Sequence, residues 1–363
     1  MDYLFITMSL WNEPKRSRHH YVDAIIKQSK SNRVFWINRP YYHEESLSFK
    51  GVEVITDQLI VIHIGQTILP GFLPKTFEEV FNLNLNNKLK VILFYLNSRK
   101  IVNFITICFD YKALGVLKKL PGDYPKYYFC NDFFGFWPKL LYQKKISTYV
   151  DGVIATDPRL VNYFEKYNKN VLFLPHGLWY SNDVVYQKNT ELRKLVYSGT
   201  LNFSIDYYFL NSIIDQLDVE LHLIGPIVEI DKKSKLLLNS LLKNQKVIYH
   251  GHVDDLTLRN RLIQVCDICL LPYKTTFNGF VLKFYDYLHV GKPIFSTCFN
   301  SFWLSESKKF VTFFDSSKEL REQLEIVHSK YCKSEYELMR ISASQSTWDI
   351  RLLMLMKFIN INM

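Results

Sequence analysis

The chain has 363 residues, of which 48% are hydrophobic and 22% charged, and its formal net charge is +10. This apolar content excludes a generally disordered chain, and the length exceeds the roughly 250 to 300 residues that one hydrophobic core usually serves, so we expect two domains. Residues 1–175 hold 23 Lys and Arg against 15 Asp and Glu, an excess that could attract nucleic acid, anionic lipid or a pyrophosphate-linked substrate.

Apolar runs and helical patterns alternate along the first half. Runs rich in β-branched and aromatic residues predict strands at 3–8, 34–38, 52–56, 59–63, 91–95, 127–130, 152–155 and 171–174. Helical patterns fall at 18–29, 77–87, 137–147 and 158–167. This alternation is typical of parallel strands joined by crossover helices, so we expect a doubly wound α/β domain over 1–180.

The same alternation begins again after the polar segment 181–189, which we interpret as the interdomain linker. Strands are predicted at 194–198, 220–224, 247–250, 268–272 and 293–296, with helices at 205–216, 256–265 and 282–290. These elements predict a second doubly wound domain over 190–345. Residues 346–363 then provide a terminal helix, in which Trp348, Leu352, Leu355 and Ile359 form an apolar stripe at helical spacing.

The cysteines and the apolar runs indicate in which cellular compartment the protein is expected. Cys266 and Cys269 have CxxC spacing, but no second pair or histidine cluster completes a zinc site, so we expect both to be buried. The first residues lack a basic region and a long apolar core, and polar residues interrupt the apolar stretch 91–109. We therefore expect a cytoplasmic protein, at most peripheral at the inner face of the plasma membrane.

Glycine-containing turns follow three strands of the second half. In an open α/β sheet ligands bind at the carboxyl ends of the strands, where glycine lets the backbone approach a ligand closely. The turns are Gly199-Thr200, Gly225-Pro226 and Gly251-His252-Val253. None is specific alone, because glycine is common at strand ends.

The fourth turn, 278–286, carries more chemistry. Gly279 enters a helix whose N–H groups suit phosphate, Lys283 supplies a cation for a diphosphate, and Asp286 can accept hydrogen bonds from sugar hydroxyls. Lys283 and Asp286 are three residues apart and share one helix face, so an ordinary surface ion pair is the alternative interpretation.

These segments resemble a known family. The stretches 197–201, 221–226, 248–253, 267–273 and 282–293 resemble the C-terminal domain of GT-B glycosyltransferases, especially the retaining family 4. The first half is similar, more weakly, to bacterial teichuronic-acid, capsule and O-antigen transferases at 9–11, 18–20, 128–132, 149–156 and 174–177. Ser346-Thr347-Trp348, which opens the terminal helix, fits the same pattern.

The resemblance implies a fold and a reaction. It implies the GT-B fold, in which two Rossmann-like domains face across a cleft and a C-terminal helix returns to the N-terminal domain. The C-terminal domain would bind a nucleotide diphospho-sugar, most simply a UDP-sugar, and the N-terminal domain a glycan or lipid-linked oligosaccharide. Transfer would retain the anomeric configuration. No metal or other cofactor is expected, since no Asp-x-Asp follows a strand and Asp254-Asp255 lies where a helix begins.

The family's pair of glutamates, separated by seven residues, is replaced by Asn278 and Asp286. By resemblance, Asp286 keeps a ribose contact, Asn278 keeps hydrogen bonding to the donor sugar without charge, and Lys283 compensates the diphosphate charge. The Arg and Lys that the family places after the first glycine turn are missing, because Thr200-Leu201-Asn202 stands there. The candidate donor-binding residues are Gly199, Thr200, Gly225, His252, Val253, Asn278, Gly279, Phe280, Lys283 and Asp286.

The turn after the first strand is the candidate acceptor site. Trp11, Arg16, Arg18 and His19 would bind the acceptor, with the basic side chains holding a lipid pyrophosphate or donor phosphates. His19 or His20, at a helix N-terminus, lies where inverting GT-B enzymes keep a general base; an exposed or capping histidine is the alternative. The candidate catalytic residues are Lys283, Asp132 and His20.

Three other functions stay open at this point. A non-hydrolysing nucleotide-sugar epimerase shares the double sheet but needs an array of acids and bases that these residues do not supply. A degenerate, non-catalytic transferase acting as a partner protein is motivated by Asn278 and Asp286. Nucleic-acid binding by the basic first half lacks an aromatic-basic motif of the recognised kinds, so we expect no nucleic-acid partner.

Overall fold

The computed structural model describes residues 1–13, 15–41, 50–65, 85–98, 101, 103–120, 124–131, 139–228, 230–277, 281–299 and 308–361. The chain divides into two compact units. Unit 1 comprises Met1–His176 and Trp348–Met363, and unit 2 comprises Gly177–Thr347.

Unit 1 alternates strands with helices. Its elements are β1 (Asp2–Ile6), α1 (Ser17–Gln28), β2 (Arg33–Ile37), β3 (Lys50–Thr56), β4 (Leu59–Ile64), α2 (Leu85–Ser98), β5 (Ile105–Cys108), α3 (Leu114–Lys119), β6 (Lys126–Cys130), α4 (Lys139–Ser147), β7 (Gly152–Ala155), α5 (Pro158–Phe164) and β8 (Val171–Phe173). The described strands form one sheet in the order β3-β4-β2-β1-β5-β6-β7-β8. All neighbours are parallel except β3 and β4, which are antiparallel. The strands β4, β5 and β7 are buried along their whole length, as expected where both faces of a parallel sheet are covered.

Unit 2 repeats the arrangement. Its elements are β9 (Lys194–Ser198), α6 (Tyr207–Gln216), β10 (Glu220–Ile224), α7 (Lys232–Leu242), β11 (Val247–Tyr249), α8 (Leu256–Gln264), β12 (Ile268–Leu271), α9 (Lys283–Val290), β13 (Ile294–Ser296), β14 (Val311–Phe313), α10 (Leu320–Lys330) and α11 (Lys333–Ser344). The described strands form a parallel sheet in the order β11-β10-β9-β12-β13-β14. The prediction of two parallel α/β sheets is confirmed.

The terminal helix α12 (Trp348–Ile361) packs within unit 1. The Trp348 ring stacks on His20 at 5.0 Å and meets Tyr21 edge-on at 5.3 Å. The Tyr127 hydroxyl donates to the carbonyl of Ile359 at 3.2 Å. Trp348, Leu352, Leu355 and Ile359 are all buried, so the predicted apolar stripe is a core stripe.

The predicted strand at 91–95 is wrong, because these residues lie in α2. Ile92, Tyr95 and Leu96 are buried whereas Phe94 is 77% exposed, which is helical periodicity. The strand that pairs with β1 on this side of the sheet is β5, which was not predicted from the sequence. Residues 77–84 of the predicted helix 77–87 lie outside the described residues, and residues 85–87 lie in α2. The helices α3, α7, α10 and α11 and the strand β14 were also not predicted.

No helix in the described part of the chain is long and apolar enough to cross a membrane. Cys266 and Cys269 are both buried, as predicted. Burial raises the pKa of the Cys266 thiol to about 12 and that of Cys269 well above its ordinary value. These two thiols are therefore protonated core groups.

Candidate functional site

Three glycine turns adjoin one another at the carboxyl edge of the unit 2 sheet. The parallel register ends β9, β10 and β11 side by side, so the residues that follow them are neighbours. The N–H of Gly199 donates to the carbonyl of Ile224, and the N–H of Gly225 donates to that of Gly251, each at 2.7 Å. Gly225 has a φ of +137°, and a Cβ there would overlap the carbonyl of Gly199. The predicted turns thus form one continuous backbone surface.

The side chain of Lys283 lies over Gly199. A Cβ added at Gly199 would stand 3.3 Å from Lys283 Cε and 2.6 Å from the Tyr197 hydroxyl oxygen. The Tyr197 hydroxyl is fixed by donating to the carbonyl of Thr200 at 3.0 Å. The first and fourth turns that the sequence singled out therefore meet. Glycine at position 199 leaves room for the Tyr197 hydroxyl first and for the Lys283 stem second.

Tyr287 ties α9 to the sheet. Its buried hydroxyl accepts a hydrogen bond from the Ser198 N–H at 2.8 Å and donates to the carbonyl of Leu270 at 3.1 Å. The helix ends at Gly291, whose φ of +72° suits glycine. Because one hydroxyl is bonded to both strands, α9 is held beside β9 and β12.

The first turn of α9 uses some of its own donors. The N–H groups of Phe284 and Tyr285 donate to the carbonyls of Val281 and Leu282, at 3.2 and 3.0 Å. These two groups are thus engaged in the tight turn rather than directed at a ligand. Anion binding at this turn therefore depends more on the side-chain charge of Lys283 than on these two backbone N–H groups.

Asp286 lies between two cations. Its Oδ2 is 3.4 Å from Lys283 Nζ, and its Oδ1 is 3.4 Å from a terminal nitrogen of Arg259. Burial acts to raise the pKa of Asp286, but Arg259 and Lys283 together lower it below its ordinary value. Burial lowers the pKa of Lys283 below its ordinary value, and Asp286 offsets only part of this effect. All three side chains are between 19% and 26% exposed, so the cluster is reachable from solvent.

The remaining donor candidates have varied surroundings. Thr200 is exposed beside Gly199, and Val253 packs against the core of unit 2. His252 is half exposed, and its Nε2 lies 2.8 Å from Asp254 Oδ1. Asn278, Gly279 and Phe280 lie outside the described residues. Asp255 is the N-cap of α8, as expected from its position, and accepts from the N–H groups of Thr257 and Leu258.

His19 of unit 1 is a buried capping histidine. Its Nδ1 accepts a hydrogen bond from the Arg16 N–H at 3.0 Å, and its ring lies 4.6 Å from that of Trp36 and 5.2 Å from that of Trp11. Burial and the neighbouring Arg18 lower the pKa of His19 to about 4. The structure thus matches the capping alternative for this residue.

The other acceptor candidates differ in exposure. Arg16 is exposed, whereas Arg18 is only 5% exposed, so its guanidinium is not presented to solvent. Trp11 is half buried, and its backbone N–H donates to Asn38 Oδ1 at 2.8 Å. His20 is partly exposed, with its Nδ1 3.9 Å from Asp23 Oδ2. Asp132 lies outside the described residues.

Two concavities of unit 2 lie at the other edge of its sheet. They are lined by residues around the starts of β9 and β10, among them Glu191, Asp218 and Val219. The Asp218 side chain is 95% exposed, which indicates an open depression. Because parallel sheets bind ligands at the carboxyl ends of their strands, we place the candidate site at Lys283.

No protein-family model and no curated protein sequence matches the chain. Several solved structures do match. A sucrose-phosphate synthase from Thermosynechococcus elongatus has a TM-score of 0.73 and 12% identity, over 99% of this chain and 98% of that one. The lipopolysaccharide outer core galactosyltransferase WaaB, in its apo form, has a TM-score of 0.70 and 13% identity, over 100% of both chains. The HepE protein of Anabaena, in complex with UDP and glucose, has a TM-score of 0.64 and 14% identity, over 99% of both chains.

These neighbours are GT-B glycosyltransferases, and the alignments span both units. The chain has the GT-B fold. The expectation drawn from the sequence is confirmed at this level. In this chain, the three glycine turns and Lys283 converge at the carboxyl edge of the unit 2 sheet.

Sequence reasoning missed Arg259 in this GT-B chain. It lies in the first turn of α8, 24 positions before Lys283, and reaches Asp286 only because α8 packs beside α9. Its only signal in the sequence is a basic residue near the start of a predicted helix, and Arg261 two positions on gives the same signal. Among the described residues, no group of three or more His, Cys, Asp or Glu could hold a metal ion.

Proposed function

We propose that this protein transfers a sugar from a nucleotide diphospho-sugar to a hydroxyl of a bacterial surface-glycan acceptor. The observation that carries the proposal is Lys283, held across Gly199 and beside Asp286 at the carboxyl edge of the unit 2 sheet. A cation over a glycine turn suits a diphosphate, and the nearby carboxylate suits a ribose hydroxyl. The fold gives further support, and the similar HepE protein was solved with UDP and glucose.

The chemistry proposed for Lys283 is electrostatic. When the bond from the sugar to the diphosphate breaks, negative charge grows on the leaving phosphate oxygen, and a fixed ammonium group stabilises that charge. A cation of this kind takes the role that a divalent metal has in other transferases, so we propose transfer without a metal. Retention of anomeric configuration is proposed from the family resemblance.

Unit 1 is proposed to bind the acceptor. Arg16 is exposed and can meet an anionic group, and His20 is the partly exposed candidate for hydrogen bonding to the attacking hydroxyl. His19 is the weaker candidate, because its Nδ1 is already engaged and its pKa is about 4.

A first experiment tests the donor site. Thermal shift with UDP-, GDP- and dTDP-sugars should reveal one stabilising donor, because a ligand that binds only the native state raises its stability. Release of nucleoside diphosphate in the presence of that donor should then fall about 10²- to 10³-fold in Lys283→Ala, the usual cost of losing one such stabilising group. Lys235→Ala, which alters an exposed lysine of α7, is the control. Unchanged turnover in Lys283→Ala contradicts the assignment of the diphosphate site.

A non-catalytic, transferase-like partner protein is the second candidate, and Asn278 in place of a glutamate favours it. Both candidates bind the donor in the thermal-shift assay. Turnover distinguishes the two candidates. A partner protein stabilised by the donor would release no nucleoside diphosphate with any glycan acceptor.

We also propose attachment of unit 1 to anionic membrane surfaces. Exposed Lys118 and Lys119 on α3, and Lys144 and Lys145 on α4, add to the exposed Arg16. Flotation with phosphatidylglycerol vesicles should show binding that weakens with salt and is reduced in the double variant Lys144→Glu, Lys145→Glu. Absence of salt-sensitive binding by the unaltered protein contradicts a membrane-bound acceptor.

A further inference from the structure

Arg259 lies at the same carboxyl edge as Lys283 but on a different helix. Its backbone N–H donates to the carbonyl of Asp255 at 2.9 Å, which fixes it in the first turn of α8. Its guanidinium is 3.4 Å from Asp286 Oδ1, and its side chain is 23% exposed. Arg259, Asp286 and Lys283 therefore form one cluster of two cations and one carboxylate.

The cluster has unused binding capacity. Charge-assisted N–H···O bonds usually measure about 2.7 to 2.9 Å, whereas both ion pairs of Asp286 measure 3.4 Å. The Arg259 Nε atom is buried and has no hydrogen-bond partner within the described part of the chain. Because one carboxylate cannot neutralise two cations, the cluster keeps a net positive charge.

We propose that Arg259 is a second cation of the donor site and binds the diphosphate together with Lys283. This inference rests on the function proposed above. Guanidinium matches phosphate oxygens in pairs, while the ammonium of Lys283 acts as a point charge, so the two groups complement each other. Arg259 thereby supplies from α8 the charge that the turn Thr200-Leu201-Asn202 lacks.

A different role for Arg259 would be to orient Asp286 alone. In that case its removal would weaken the contact to the ribose, and uridine would lose as much affinity as UDP. If Arg259 binds the diphosphate, UDP loses affinity and uridine does not. The ratio of the two affinities therefore separates a phosphate-binding role from a structural one.

The experiment measures binding of UDP and uridine by calorimetry to the full chain and to Arg259→Gln, Arg259→Lys and Arg261→Gln. Arg261 is exposed, lies two positions further along α8, and provides the matched control. Arg259→Gln should weaken UDP binding about 10- to 100-fold, the usual range for charged hydrogen bonds, and leave uridine binding unchanged. Arg259→Lys keeps the charge but not the paired donors, so its loss should be smaller; it also carries the test if Arg259→Gln does not fold. Arg261→Gln should bind both ligands as the unaltered protein does.

The outcomes are distinguishable. If UDP binding in Arg259→Gln and Arg259→Lys equals that of the unaltered protein, or falls in parallel with uridine binding, the role of Arg259 is overturned and the proposed function stands. If the unaltered protein binds none of UDP, GDP and dTDP, the proposed function fails, and this inference fails with it.

Discussion

Lys283 Nζ lies 3.4 Å from Asp286 Oδ2, and the two residues are one helical turn apart on α9. Burial lowers the pKa of Lys283, and the Asp286 charge acts in the opposite direction. The protonation of the proposed diphosphate cation therefore depends on its neighbour.

UDP affinity should fall at high pH as Lys283 loses its proton, and we call this fall the alkaline limb. Asp286→Asn should move the alkaline limb to lower pH. Without the carboxylate, the pKa of Lys283 falls further, so its positive charge is lost earlier as pH rises. Calorimetric titrations between about pH 7 and pH 10 measure the limb. Asp254→Asn, which alters an exposed carboxylate 91% accessible to solvent, should leave it in place. A limb at the same pH in Asp286→Asn would show that Lys283 is not the titrating group.

Gly225→Ala should destabilise unit 2 by about 3 kcal/mol or more, because its φ of +137° is nearly restricted to glycine and the new Cβ meets the Gly199 carbonyl. Gly251→Ala is the matched control: its φ is +68°, but a Cβ there meets no atom of the described residues within 4 Å, so about 1 kcal/mol is expected. Urea unfolding of both variants measures the difference. Equal losses would contradict the close packing of the Gly199 and Gly225 turns.

The free energy of unfolding should decrease as pH falls from about 6.5 towards 4. Burial lowers the pKa of His19 to about 4, so between these values the unfolded chain binds a proton that the folded chain does not. The contribution of this residue reaches about 3 kcal/mol at most. In His19→Asn the decrease should be smaller, whereas His252→Gln, at a half-exposed position, should keep it. Urea midpoints at several pH values check this, and identical slopes in the two variants would contradict it.

Transfer should persist in excess chelator. The proposed mechanism assigns leaving-group stabilisation to fixed cations of the protein, so removal of divalent ions should change the rate of nucleoside diphosphate release less than about twofold. The assay compares EDTA-treated protein with the same protein resupplied with Mg²⁺ or Mn²⁺. A strict requirement for either ion would overturn the metal-independent mechanism.

Local sequence was sufficient for most of the sheet. Strands such as 194–198 and 220–224 are short, mostly apolar runs followed by glycine, and a buried parallel strand needs little more than that pattern. The turn glycines and Lys283 could be found for the same reason, since strand ends and helix starts have local signals. The error at 91–95 arose because five consecutive apolar residues are compatible with both a strand and a helix. Only the pattern of buried and exposed positions along α2 decides between the two.

The partners of the site side chains were decided by tertiary structure. Arg259 and Arg261 look alike in sequence, yet packing of α8 beside α9 brings only Arg259 to Asp286. His19 and His20 are adjacent, yet the helix turns His19 between Trp11 and Trp36 and leaves His20 partly exposed on Trp348. Charge and burial at a site depend on which faces of distant elements meet, whereas the existence of those elements depends mainly on local periodicity.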